Sequence, residues 1–160
     1  MKQTVLRSLI SATVLGIVLT QTGLPGALAK MPLAKIGTNT VLLEVATTEA
    51  EIEKGLMGRT SLAKDQGMVF LFRPNRAVNF WMAHCFISLD MIFVKDGKIV
   101  KIFENVPPCR AQNDHDCPQY PEGPGIMVSE VVEVYGGYAK DHKVKVGDAV
   151  SFELPAKGSN

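Results

Sequence analysis

Asn79-Phe80-Trp81-Met82-Ala83-His84-Cys85-Phe86-Ile87-Ser88-Leu89-Asp90-Met91-Ile92-Phe93-Val94 is the run on which the reading of this chain turns. It is an apolar stretch that holds the only tryptophan, a histidine, a cysteine and a single acid. Leu89 to Val94 reads as a strand, and Asp96-Gly97 between Lys95 and Lys98 is a strong type I′ hairpin signal, because both central residues must accept positive φ. The hairpin returns the chain into a second strand, Lys98 to Phe103.

Moving upstream, Val78 to Met82 and Met68 to Phe72 read as strands, the latter ended by Pro74. Thr48 with Glu51 forms a capping box before a short helix, and Glu49, Glu51 and Glu53 place negative charge where the helix dipole favours it. Ile52 and Leu56 lie four apart and share a face, and Gly58 is the expected terminator. Thr40 to Ala46 reads as a strand with both sides at least partly covered. Met31 to Asn39 is expected to be a loose entry segment.

Downstream, Pro107 to Pro124 has five prolines in 18 residues and is expected to be irregular. Met127 to Tyr135 resumes the sheet, with Glu130, Val132 and Val134 alternating against Val131 and Tyr135, and Gly136-Gly137 breaks it. Lys140, His142, Lys143 and Lys145 read as a solvated basic turn. Val146-Gly147-Asp148 leads into a last strand, Ala149 to Leu154. The fold class is therefore mainly β, a β-rich α+β domain. It is a single compact sandwich or partly closed barrel of short strands with one short helix. The domain is placed at 40–155, with a flexible tail at 156–160.

Residues 1–29 read as a cleaved secretory leader. Lys2 and Arg7 precede an uncharged, mostly apolar stretch, and Ala27-Leu28-Ala29 gives the small-x-small site. Gly16, Thr20, Gln21, Gly23 and Pro25 break the apolar run short of the roughly 20 residues a spanning helix needs. The remaining 131 residues carry 15 basic and 16 acidic side chains, a net charge of −1. Such a chain suits one domain and has no electrostatic footprint for nucleic acid or anionic membrane.

The motifs resemble the DUF192 family of small, often exported prokaryotic domains, over about Val41 to Phe152. The likeness rests on Gly55-Leu56-Met57 with Arg59, Gly67-Met68 with Phe70, Phe80-Trp81-Met82, Leu89-Asp90-Met91-Ile92-Phe93 and Gly147-Asp148. Ala83-His84-Cys85 replaces the family's usual Lys-Asn-Thr, Ser88 its proline and Ile52 its arginine. The resemblance implies a compact, mainly β fold and no particular activity.

Each residue that carries chemistry has an ordinary alternative. Phe80, Trp81, Met82 and His84 are candidate groove-lining residues, or core packing. Asp90 inside an apolar strand needs a partner. The best candidate is Arg59, as an ion pair or polar site, and backbone capping is the alternative. His84, His115 and Cys117 are weak metal candidates whose spacing matches no specific site. Ser61 and Ser129 lie in no nucleophile-elbow context. No catalytic set, phosphate loop or cofactor fingerprint is visible.

Among three cysteines, Cys109 and Cys117 are the expected disulfide, because both lie in the proline-rich segment. Cys85 is then a thiol packed as a small hydrophobe. The other two pairings remain open on paper. The functional expectation is an exported, non-enzymatic binding or accessory protein of the cell envelope. It would be a monomer without cofactor, meeting a small ligand or an envelope protein but neither nucleic acid nor, once the leader is cleaved, the membrane interior. The rivals are a metal-handling protein using its histidines and cysteines, and a hydrolase-like enzyme without a visible motif.

Protein isolated from its native cells should begin at Lys30. Sequencing that still finds Met1, or an end inside the apolar run, contradicts the leader.

Overall fold

The computed structural model describes residues 31–154. The expected leader and the 156–160 tail lie outside the described residues. Nine strands and two short α-helices follow in order: β1 (Leu33–Ile36), β2 (Asn39–Ala46), α1 (Glu49–Lys54), β3 (Gln66–Val78), β4 (Phe80–Trp81), β5 (Leu89–Lys95), β6 (Lys98–Val106), β7 (Gln119–Tyr120), β8 (Ile126–Tyr135), α2 (Tyr138–His142) and β9 (Val150–Glu153). Seven strands form one sheet in the order β6-β5-β8-β3-β2-β1-β9, and β4 pairs with β7 in a small second sheet. The fold is mainly β, a curled seven-stranded half-barrel.

The curl brings the two edges of the large sheet together at one end. Lys98 at the start of β6 bridges Ala149 just before β9. The contact is reinforced by Ile99 N–H to Asp148 O at 3.0 Å and Val150 N–H to Gly97 O at 2.9 Å. Asp96 (φ 50°) and Gly97 (φ 74°) both take the positive φ that the type I′ turn requires. The hairpin therefore appears where its sequence places it, and it also joins the two sheet edges at that end.

Curling gives the sheet two buried faces. Inside lie Ile36, Val41, Leu43, Val69, Ile92 and Val132 with their neighbours. Outside, Leu56, Phe70, Phe93 and Val131 pack beneath α1 and the loops at 79–88 and 107–125. Leu89 to Val94 is consequently buried at every residue. Full burial of each such aliphatic side chain contributes roughly 1.5–3 kcal/mol.

Several expectations are corrected. Leu33–Ile36, read as part of a loose entry, is a strand, because pairing with both β2 and β9 satisfies its backbone. Pro74 does not end the third strand. The β3–β8 ladder jumps from Leu71–Glu130 to Arg76–Val128, and Pro74 falls in the bulge, where a missing N–H breaks no ladder bond. Val78 to Met82 is not one strand, since only Phe80 and Trp81 pair, with Tyr120 and Gln119. The helix stops at Lys54 with Gly55 as its cap, so Gly58 is not its terminator. The proline-rich segment holds a 3-10 turn at Asp114–Asp116 as well as β7. A second helix, α2, takes Lys140 and His142 out of the expected solvated turn.

Asp90 is fully buried. Its Oδ1 accepts from Asn105 N at 2.6 Å and Gly137 N at 2.7 Å, and its Oδ2 from Ala139 N at 2.7 Å. One carboxylate thus ties β5 to the end of β6 and caps α2. Arg59 is not its partner. That guanidinium meets Glu44 Oε2 at 2.6 Å on the surface, while buried Asp90 is satisfied by backbone donors alone.

Asp90→Asn puts an amide NH2 against backbone N–H donors, and should cost about 3 kcal/mol or more in chemical denaturation. An unchanged midpoint contradicts this role.

Candidate functional site

The family-like run divides into structural and exposed parts. Asn79 is anchored by Nδ2 donating to Pro121 O at 2.8 Å and Gly123 O at 3.0 Å. Phe80 stacks edge-on against Phe70 at 4.9 Å and Phe93 at 5.8 Å between centroids. Phe93, Phe103 and Tyr120 continue the series. Met82 is buried, and Trp81 is half-buried opposite Gln119. Of the four expected groove residues, only His84 lines any of the principal cavities of the described residues. Phe80 and Met82 pack into the outer core cluster instead, because β4 lays Phe80 onto the sheet, while Trp81 stays half-buried outside it.

His84 and Cys85 occupy a turn rather than a strand, with His84 at φ 56°. His84 Nε2 lies 3.0 Å from Asp114 Oδ2 at an exposed contact. Cys109 and Cys117 form a disulfide and Cys85 is free and buried. Cys117 is therefore not available as a thiolate, which removes one of the three metal candidates. No group of three potential ligands able to hold a metal occurs among the described residues, so His84, His115 and Cys117 do not assemble into a site.

Glu133 was not singled out by the sequence reading. It sits mid-sheet on β8, opposite Met68 and Met91, and is almost completely buried. Burial alone pushes its carboxyl up to about 8. Burial, followed by the charge of Glu133, also pushes the Cys85 thiol up to about 11. A carboxyl near 8 suits proton transfer, but Glu133 lines none of the principal cavities. The signal was present in the alternation, where Glu133 shares a face with Val131 and Tyr135.

The largest of the principal cavities among the described residues is a groove of about 790 Å³ between α1 and the β3 bulge. Val45, Ile52, Leu71, Phe72 and Leu154 supply apolar walls, and Arg73, Arg76 and Glu49 supply charge. The capping box sets this rim. Thr48 Oγ1 accepts from Glu51 N at 3.3 Å, and Glu51 Oε2 accepts from Thr48 N at 3.0 Å. Backbone donors at Thr47 and Thr48 hold Glu51 down at about 2. Arg76 holds Glu49 with two bonds, 2.8 and 3.1 Å, which lowers the Glu49 carboxyl below its usual range. Arg73 is turned back onto the sheet by Glu130 and by Ser129 O at 2.8 Å. The bulge thus puts Arg73 and Arg76 in one lining, with Arg73 paired to Glu130 and Arg76 to Glu49.

The DUF192 family model, described as uncharacterized ACR, matches residues 32–152. The chain belongs to the DUF192 family. No curated relative matches it. Among solved structures, a protein of unknown function from Novosphingobium aromaticivorans is 35% identical with a TM-score of 0.63, covering 74% of this chain and 83% of that one. A Sinorhizobium meliloti protein called a "putative transcription regulator" is 30% identical with a TM-score of 0.64, covering 79% of this chain and 98% of that one. Membership in DUF192 accounts for the fold and assigns no chemistry. Arg59, His84 and Asp90 share none of the principal cavities of the described residues: Arg59 meets Glu44, His84 meets Asp114, and Asp90 is spent on backbone donors.

Glu133 makes stability pH-dependent with a definite sign. Its folded value is raised, so the stability it allows is complete below about 4.5 and falls as pH rises toward about 8. Glu133→Gln should flatten that fall by a few kcal/mol in denaturation curves taken between pH 5 and 8. Parallel curves for the two proteins contradict the buried acid.

Proposed function

We propose that this chain is an exported, non-enzymatic binding protein of the cell envelope, acting as a monomer. It holds a small amphipathic anion in the groove between α1 and the β3 bulge. The groove itself carries this reading: its size suits a small ligand, its walls are apolar, and two arginines stand against one glutamate in its lining. Glu49 is the more exposed half of its pair with Arg76. An incoming carboxylate or sulfonate takes its place on the guanidinium with the same bidentate geometry.

Export is supported by the Cys109–Cys117 disulfide, a bond that persists in oxidising compartments. No helix of the described residues is long and apolar enough to cross a membrane. A transcriptional role, suggested by the description of the Sinorhizobium relative, is disfavoured by the near-neutral charge of the domain. The dispersal of Arg59, His84 and Asp90 disfavours the hydrolase reading.

Titration with 1-anilinonaphthalene-8-sulfonate, an apolar anion, tests the groove. One saturable site with blue-shifted emission is expected, weakened at least tenfold by Ile52→Glu and by Arg76→Glu with circular dichroism unchanged. Absence of saturable binding, or equal affinity in both variants, rejects the proposal.

A further inference from the structure

All three cysteines of the chain line one cavity of about 370 Å³, together with His84, Arg110 and Asp114. The Cys109–Cys117 disulfide forms part of its wall and the buried Cys85 thiol another. The backbone N–H groups of Cys85 and Cys109 both donate to Met82 O, at 3.3 and 3.2 Å. Sharing one acceptor sets the backbones of these two cysteines side by side. Cys85 also belongs to the outer apolar cluster against which Cys109 packs. A free thiol beside a disulfide in an open cavity is the arrangement that thiol–disulfide exchange requires.

We propose that this cavity is a thiol–disulfide exchange site, in which Cys85 attacks Cys109 Sγ and passes the free thiol to Cys117. The Cys85 thiol first gives its proton to solvent. Its sulfur electron pair forms the Cys85–Cys109 bond as the Cys109–Cys117 bond breaks. The departing pair stays on Cys117 Sγ, which takes up a proton. One thiol and one disulfide are present before and after the step, so no external oxidant or reductant enters. The thiolate leaves into the cavity that carries the Arg110 guanidinium, a favourable neighbour for negative charge.

The groups around Cys85 set the pace. Glu133 faces it from β8, His84 precedes it in its own turn, and Asp114 and Arg110 stand on the loop across the cavity. With the thiol pushed up to about 11, only about one molecule in 10⁴ carries the thiolate at pH 7. Exchange is therefore slow at neutral pH and gains about tenfold per pH unit up to that value. The greater nucleophilicity of a high-pKa thiolate and the fixed proximity of its target offset part of this penalty.

The test is alkylation of the folded, disulfide-intact protein after incubation at pH 7 to 10, with acid quenching and non-reducing peptide maps. At the start only Cys85 should take the label. Label should then move to Cys117 while a Cys85–Cys109 peptide appears, about tenfold faster per pH unit and at a rate independent of protein concentration. Cys85→Ser should take no label at any pH. A second arm uses Cys117→Ser, which should close a Cys85–Cys109 bond when treated with oxidised glutathione. Label confined to Cys85 throughout, label moving to Cys109, a concentration-dependent rate, or two surviving thiols in Cys117→Ser would each overturn the proposal.

Discussion

A single carboxylate holds the halves of this domain in register. Asp90 sits in the most buried strand, where an unpaired charge would cost several kcal/mol. It is tolerated because three backbone N–H groups from two other segments converge on it. Those segments also take demanding backbone arrangements at the contact. Asn105 takes a positive φ of 47°, a conformation asparagine accepts more readily than most residues. Gly136 passes so close to Asn105 and Ser88 that an added Cβ would lie 2.6 Å from Asn105 Oδ1 and 2.8 Å from Ser88 Cβ. The carboxylate, the left-handed asparagine and the crowded glycine form one joint between β5, β6 and α2.

The second buried acid follows the opposite physics. Glu133 lies on the outer face of the same sheet, and burial keeps its carboxyl protonated at neutral pH. Asp90 is stabilised by donors and builds structure, whereas Glu133 is tolerated by giving up its charge. The contrast matters for function, since neither acid opens onto a principal cavity. Polar side chains line cavities elsewhere, among them the arginine-rimmed groove beside the β3 bulge and the three-cysteine cavity beneath the proline-rich loop.

Legibility in the sequence followed the range of the interactions. The Asp96-Gly97 hairpin, the Thr48–Glu51 capping box and the strand at Leu89 to Val94 are set by neighbouring residues, and were readable. The need of Asp90 for a partner was readable too, although the partner was misassigned. Arg59 is a natural choice by charge, but the real donors are amides up to 49 residues away, and every residue offers an amide. The bulge at Phe72 to Asn75 was hidden because Pro74 looks like a terminator until the ladder around it is known. The groove follows from that bulge, so its lining left no pattern along the chain. Met31 to Asn39 shows the same limit, since a four-residue strand gains its stability from partners distant in sequence.

The central claim is that the acid of the family-like run serves the fold, leaving ligand chemistry to the groove and the loops. Native-state hydrogen exchange resolved at Asn105, Gly137 and Ala139 tests it most directly. Three amides bound to one buried carboxylate should exchange only through global unfolding, in the slowest class with the β5 and β8 amides. Exchange of Gly137 and Ala139 at the rate of the exposed 107–125 loop would show that the carboxylate does not hold α2, and would contradict the account.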